Sequence, residues 1–178
     1  MTHRIELAVQ LPINPNDQVM VLDTDLLFQG DPFQIFKNEF DFFYTSRHYE
    51  SNFKVNAGVW GFRNNKYARQ LLQFMIEQAN HPSWEPYQEI RYKFKRHENQ
   101  QKKEKDWWTN QDLLCAIAEN KPPIEVALFD AGAKFNYCPQ SGGGITLNET
   151  ARADWLSHIG DPNIVILHYK ELEKTLCK

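Results

Sequence analysis

Short apolar runs alternate along the chain with segments of helical periodicity, the pattern of an α/β domain. Val19-Met20-Val21-Leu22 is a continuous apolar run ending in acids, which predicts a strand buried on both faces. Phe42-Phe43-Tyr44-Thr45 and Val59-Trp60-Gly61-Phe62 predict two more strands, and residues 125–129 a weaker one. Ile164-Val165-Ile166-Leu167 predicts a strong strand that ends at His168. Tyr67, Leu71, Leu72, Met75, Ile76 and Ala79 recur at helical spacing, so an amphipathic helix is expected over Lys66–Asn80, stopped by His81-Pro82. A second helix is expected over residues 110–119, capped by Thr109 or Asn110 and stopped by Lys121-Pro122-Pro123. A shorter one is expected over residues 149–158.

Composition narrows the class. The 178 residues suffice for one domain with a real core, and neither an internal repeat nor a linker divides residues 1–178. A net charge of -3 gives no global attraction for nucleic acid. No apolar run is long enough to span a bilayer, and the first residues lack the apolar stretch of a secretion signal. Cys115, Cys138 and Cys177, odd in number and widely spaced, point to neither a disulfide framework nor a zinc site but to buried or incidental thiols in a reducing compartment. The stretch from Arg91 to Asp106 is rich in Lys, Arg and Gln. It reads as a solvated helix face or loop, with a basic arm near a phosphate-bearing substrate as the alternative. Gly142-Gly143-Gly144 marks a loop without the spacing of a phosphate-binding fingerprint.

The main chemical signal follows the first strand. Asp23 and Asp25 are separated by one residue where a buried strand ends, so both carboxylates can converge on one point beyond its carboxyl end, the place where ligands bind in open α/β sheets. Two close carboxylates repel unless a proton or cation lies between them. A hard divalent ion takes few protein oxygens and keeps positions for phosphate oxygens. The pair therefore suits Mn2+ or Mg2+ bridging to a diphosphate, while simple turn capping remains the plainer alternative.

The segment through Gly30-Asp31-Pro32 resembles the Asp-x-Asp region of GT-A fold glycosyltransferases, family 8 and its nucleotide-diphospho-sugar transferase relatives in particular. Three later segments resemble that family in the same order. Phe53 and Asn56-Ala57-Gly58 with the strand after them form one, Trp107-Trp108-Thr109-Asn110-Gln111-Asp112 another, and Val165 to Lys170 the third. The resemblance implies a mixed sheet flanked by helices. It implies that Asp25 ligates the metal, that Asp23 binds the metal or the donor ribose, and that His168 is the third ligand as a neutral imidazole. Asn56, Ala57 and Gly58 would line the donor or acceptor side, with Gly58 allowing close approach. Asn110, Gln111 and Asp112 would face the cleft, with Gln111 and Asp112 as the catalytic candidates and Asp112 the base if the reaction inverts. Lys170 would neutralise the leaving diphosphate. Asn110 stands where the family carries Asp, and the C-terminal residues HYKELEKTLCK do not reproduce the family-8 ending.

The partners implied are a nucleotide-sugar donor, a UDP-sugar foremost, and a carbohydrate, lipid or protein acceptor, with no nucleic acid. In that family the Asp-x-Asp strand follows earlier β-α units that bind the nucleobase, so the chain reads as the C-terminal portion of such a domain. The cytoplasm is then the default compartment. Membrane association or a Golgi lumen location would require a missing N-terminal anchor. Two other readings stand beside this one. A haloacid dehalogenase-type phosphohydrolase would use Asp23 as nucleophile and Asp25 as acid/base, with Thr45 or Ser46, Lys134 and Asp161 as its later motifs. A catalytically inactive remnant would bind sugar nucleotides without turnover.

Overall fold

A computed structural model of the chain describes residues 3–49, 53–95, 109–139 and 149–168. Trp107, Trp108, the three consecutive glycines, Lys170, Cys177 and most of the basic stretch lie outside them. Among the described residues six strands run in chain order: β1 (Gln18–Leu22), β2 (Leu26–Phe28), β3 (Phe42–Tyr44), β4 (Val59–Arg63), β5 (Leu128–Asp130) and β6 (Ile166–His168). Four of them make a mixed sheet in the order β1-β4-β3-β5, antiparallel except for the parallel pair β3 and β5. The short β2 pairs antiparallel with β6 in a separate ribbon, with Leu26 opposite His168.

Alternation along the strands builds two cores. Phe42, Trp60 and Phe62 point to one face of the sheet, Phe43 and Val59 to the other. Helices α1 (His3–Gln10), α2 (Lys66–Asn80), α3 (Glu85–Lys95) and α4 (Thr109–Glu119) cover the first face, through side chains such as Ile5, Leu72, Met75, Tyr87 and Leu113. Burying each large apolar side chain there contributes roughly 1.5–3 kcal/mol. The second face is closed by Ile35 and Phe36 of a 3-10 turn at Pro32–Lys37, by Phe40 and Phe135, and by Val165 and Ile166. Helix α5 (Glu149–Ser157) packs Trp155 against Ile164 and Leu167 behind the ribbon. A Cβ on Gly61 would meet the Val19 carbonyl and the Phe43 ring, so only glycine lets that ring lie across β4.

The expected mixed sheet flanked by helices is therefore present, with three departures in detail. First, β1 is half-buried along Val19–Leu22 rather than fully buried, because among the described residues it lies at the sheet edge with β4 as its one partner. Second, α1 buries only Ile5 and Ala8, too few for a periodic signal, and owes its end to a residue distant in sequence. The Arg69 guanidinium donates to the carbonyls of Ala8 and Val9, at 3.3 and 2.6 Å, which satisfies groups a helix terminus leaves open. Third, α3 starts where Gln78 Oε1 accepts from the backbone N–H of Ser83 and Trp84, at 2.9 and 2.7 Å. Tyr87 and Ile90 anchor it, and it carries the start of the basic stretch, where Lys93 faces solvent. Among the described residues, no helix is long and apolar enough to cross a membrane.

Candidate metal centre

The two acids and the distant histidine meet at one end of the sheet. Past Leu22 the pairing of β1 continues for one residue, the Asp23 N–H donating to the Gly58 carbonyl at 2.8 Å. The chain then turns through Asp25 into β2, and the β2–β6 ribbon sets His168 beside Leu26, one position from Asp25. His168 Nε2 lies 3.2 Å from Asp25 Oδ1 and 3.5 Å from Asp23 Oδ2. The three ligand atoms all fall within 4.8 Å of one another. The imidazole is buried, while the side chains of Asp23 and Asp25 are 24% and 39% exposed, so the cluster opens to solvent on its carboxylate side.

These separations fit a small divalent ion. Bonds of ~2.1 Å in an octahedral shell put neighbouring ligand atoms about 3.0 Å apart, close to the distances from Nε2 to both acids. Two carboxylates with one imidazole form a donor set suited to Mn2+, with more nitrogen character than Mg2+ prefers. The site also already attracts positive charge, since the Arg4 guanidinium donates to Asp23 Oδ1.

Behind the imidazole lies a buried polar network. Asn136 Oδ1 is 3.0 Å from His168 Nδ1, and its Nδ2 donates to Thr45 Oγ1 at 2.8 Å and to the Asn56 carbonyl at 3.2 Å. Thr45 Oγ1 lies 2.9 Å from the carbonyls of both Asn56 and Val59. Asn56 Oδ1 accepts from the Gly58 N–H at 3.2 Å, which leaves its Nδ2 at 3.4 Å from His168 Nδ1. All four side chains are buried. Gly58 packs against the ring: a Cβ there would lie 2.7 Å from His168 Nδ1 and 3.0 Å from Asp23 Oδ2.

The other candidate residues occupy definite places. Gln111 holds the segment before β4, with Nε2 donating to the Val55 carbonyl and Oε1 accepting from the Ala57 N–H at 3.0 Å. Asn110 and Asp112 are buried beside it in the first turn of α4. Burial pushes the Tyr87 phenol up to about 12, Arg91 pulls it back and Asp112 adds to the rise, which sets Asp112 near α3. Of the residues the phosphohydrolase reading uses, Thr45 is enclosed in the network, the Ser46 N–H donates to Asp130 Oδ1 at 3.0 Å, Lys134 lies over the Phe135 ring, and Asp161 accepts from the Asn163 N–H. Asp23 is held by both Arg4 and His168, a poor setting for a nucleophile.

Sequence reasoning missed Arg4 and Asn136. Arg4 sits 19 positions before Asp23 on a helix with no clear periodic signal. Asn136 follows β5 in a loop with no motif that points to it. A cleft of ≈ 600 Å³ lies nearby, lined in part by Tyr44, Ser46, Lys54, Val55 and Asp130, and its lining includes none of the cluster residues. Tyr44, Ser46 and Val55 are strand neighbours of Thr45 and Asn56, so alternation turns them away from the network.

No protein-family model and no curated protein matches the chain. Among solved structures it is similar to the glycosyltransferase GlyE of Streptococcus pneumoniae TIGR4, with a TM-score of 0.50 and 18% identity. The match covers 95% of this chain and 37% of that one, so the chain spans well under half the length of the protein it matches. At 18% identity the likeness is one of architecture: over 95% of its length the chain shares the fold of a glycosyltransferase.

Proposed function

We propose that the chain serves glycosyl transfer on a GT-A type scaffold, moving a sugar from a nucleoside-diphosphate donor, a UDP-sugar foremost, to a hydroxyl of a carbohydrate, lipid or protein acceptor. The meeting of Asp23, Asp25 and His168 carries this reading, and the likeness of fold to a glycosyltransferase supports it. Asp25 and His168 would hold Mn2+ or Mg2+, with Asp23 as third ligand or as partner of the donor ribose. When bound, the cation supplies positive charge against the diphosphate as it leaves.

The protein's own groups divide the remaining work. Gly58 leaves room for the ring and for Asp23. Gln111 fixes the backbone that carries Asn56, Ala57 and Gly58 toward the donor. Asn110 and Asp112 stand at the same helix start, with Asp112 as the base if the reaction inverts. Lys170 would neutralise the leaving diphosphate.

Thermal melting of the chain with UDP, GDP, Mn2+ and their combinations tests the reading. The expected result is a rise in Tm that needs nucleoside diphosphate and Mn2+ together and is lost in Asp25→Asn and His168→Ala. A rise with Mg2+ and a phosphate mimic alone would instead favour phosphohydrolase chemistry. Binding of donor with Mn2+ but no sugar release would indicate a non-catalytic sugar-nucleotide binder.

A further inference from the structure

We propose that Asn136 is the positioning residue that fixes the tautomer of His168. This rests on reading Asp23, Asp25 and His168 as a cation site, and it concerns the chain's own residues behind that site. An imidazole offers a metal only a nitrogen without a proton, so presenting Nε2 to a cation held by the two carboxylates requires the proton on Nδ1. Which nitrogen carries it is set by the group facing the other one.

Two amides face Nδ1, and they make opposite demands. Asn56 turns its NH2 toward the ring, because its Oδ1 accepts from the Gly58 N–H. Asn136 turns its carbonyl oxygen toward the ring, because its NH2 is committed to the Asn56 carbonyl, which can only accept, and to Thr45 Oγ1. The Asn136 contact is 3.0 Å and the Asn56 contact 3.4 Å. The shorter bond puts a proton on Nδ1, donated to Asn136 Oδ1. Without a cation, Asp25 and Asp23, 3.2 and 3.5 Å from Nε2, draw a proton there as well, and a cation held by the two acids takes that proton's place. Flipping the Asn136 amide would set its NH2 against the ring and its oxygen against the Asn56 carbonyl, so the environment resists the reversal. Thr45 completes the device by accepting from Asn136 and donating to a backbone carbonyl, of Asn56 or Val59. A buried network satisfied in this way holds one arrangement.

Asn136→Asp keeps an acceptor facing Nδ1, whereas Asn136→Leu keeps the volume and removes it. Nitrogen NMR of the full chain with isotopically labelled histidine reports the tautomer of each neutral ring, with His168→Gln assigning the signal among the six histidines. Mn2+ titration of the same proteins reports affinity. The expected result is a proton on Nδ1 in the parent chain and in Asn136→Asp, whether or not Nε2 also carries one, with Mn2+ affinity retained in both. In Asn136→Leu the tautomer population shifts toward Nε2–H and Mn2+ affinity falls by roughly 10–100-fold. The Nε2–H tautomer in the parent chain would overturn the proposal, as would loss of Mn2+ binding in Asn136→Asp while its circular dichroism stays native. Undiminished Mn2+ binding in a folded Asn136→Leu would overturn it and leave the cation site standing. No Mn2+ binding by the parent chain would remove the cation site itself, and the proposal with it.

Discussion

Gly58 lies directly against the imidazole of His168, with no space for a methyl group between them. The contact is one of volume and not of backbone conformation. The ring is also tied to Asn136 through Nδ1, so it cannot shift without straining that hydrogen bond. Gly58→Ala should therefore displace either the ring or Asp23, uncoupling the acids from the histidine. Overpacking of this kind costs about 1–3 kcal/mol. We expect a lower Tm and a loss of Mn2+ affinity well beyond what the stability change alone would give. A variant that melts lower yet binds Mn2+ normally would show that the ring and acids do not act together.

Arg4 and Asp23 form an ion pair in which both side chains are partly exposed, so its net worth for folding is small, about 0–1 kcal/mol. Its effect on a cation should be larger. A guanidinium about 5 Å from a divalent ion repels it by roughly 1.7 kcal/mol even in a water-like dielectric. Arg4→Gln should raise the Mn2+ affinity of the nucleotide-free chain by roughly ten- to twentyfold, with stability almost unchanged. Isothermal titration at low salt checks the sign, and a weakened Mn2+ affinity would contradict the expectation.

Gln111 uses both ends of its amide on the backbone of Val55 and Ala57. Gln111→Leu leaves the buried Val55 carbonyl and the partly buried Ala57 N–H without that partner, which costs roughly 1–3 kcal/mol for the carbonyl and less for the N–H. Urea unfolding should show the loss, and Mn2+ affinity should drop moderately because Asn56 lies between the two clamped residues. An unchanged midpoint would mean that the side chain does not clamp this segment in solution.

Alkaline pH should destabilise the fold through groups buried in their neutral form. Burial pushes the Cys115 thiol from 9.0 up to about 11, partly offset by hydrogen bonds from Val55 and Gln111. The folded chain then holds this proton more tightly than the unfolded chain does. The contribution is fully present below pH 9 and is lost as pH rises toward about 11. Tyr87 acts in the same direction from 10.0 to about 12. Urea midpoints measured from pH 8 upward should fall above pH 9, and the fall should be shallower in Cys115→Ala than in the parent chain, each compared with its own value at pH 8.

Much of the architecture was legible along the chain because it depends on local periodicity. Lys66–Asn80 has the expected helix bounds, and the runs at β1, β3, β4 and β6 are strands within one or two residues at their ends. Helix α1 and the start of α3 escaped notice because each helix buries only a few side chains and takes a terminal hydrogen bond from α2, through Arg69 and Gln78, while the end of α3 is the solvated helix face expected from Arg91 onward.

The sequence by itself determined the ingredients of the candidate site: two acids one residue apart at a strand end, and a histidine closing the last apolar run. Strand alternation and chain termination are local, so order along the chain suffices to read them. Only the tertiary structure decided that His168 comes within 3.5 Å of both acids, that Arg4 balances one of them, and that Asn136 stands behind the ring. The pairing of β2 with β6, across some 140 residues, makes that encounter. Nothing local encodes it, because it is won by burying Val165 and Ile166 against the second face of the sheet.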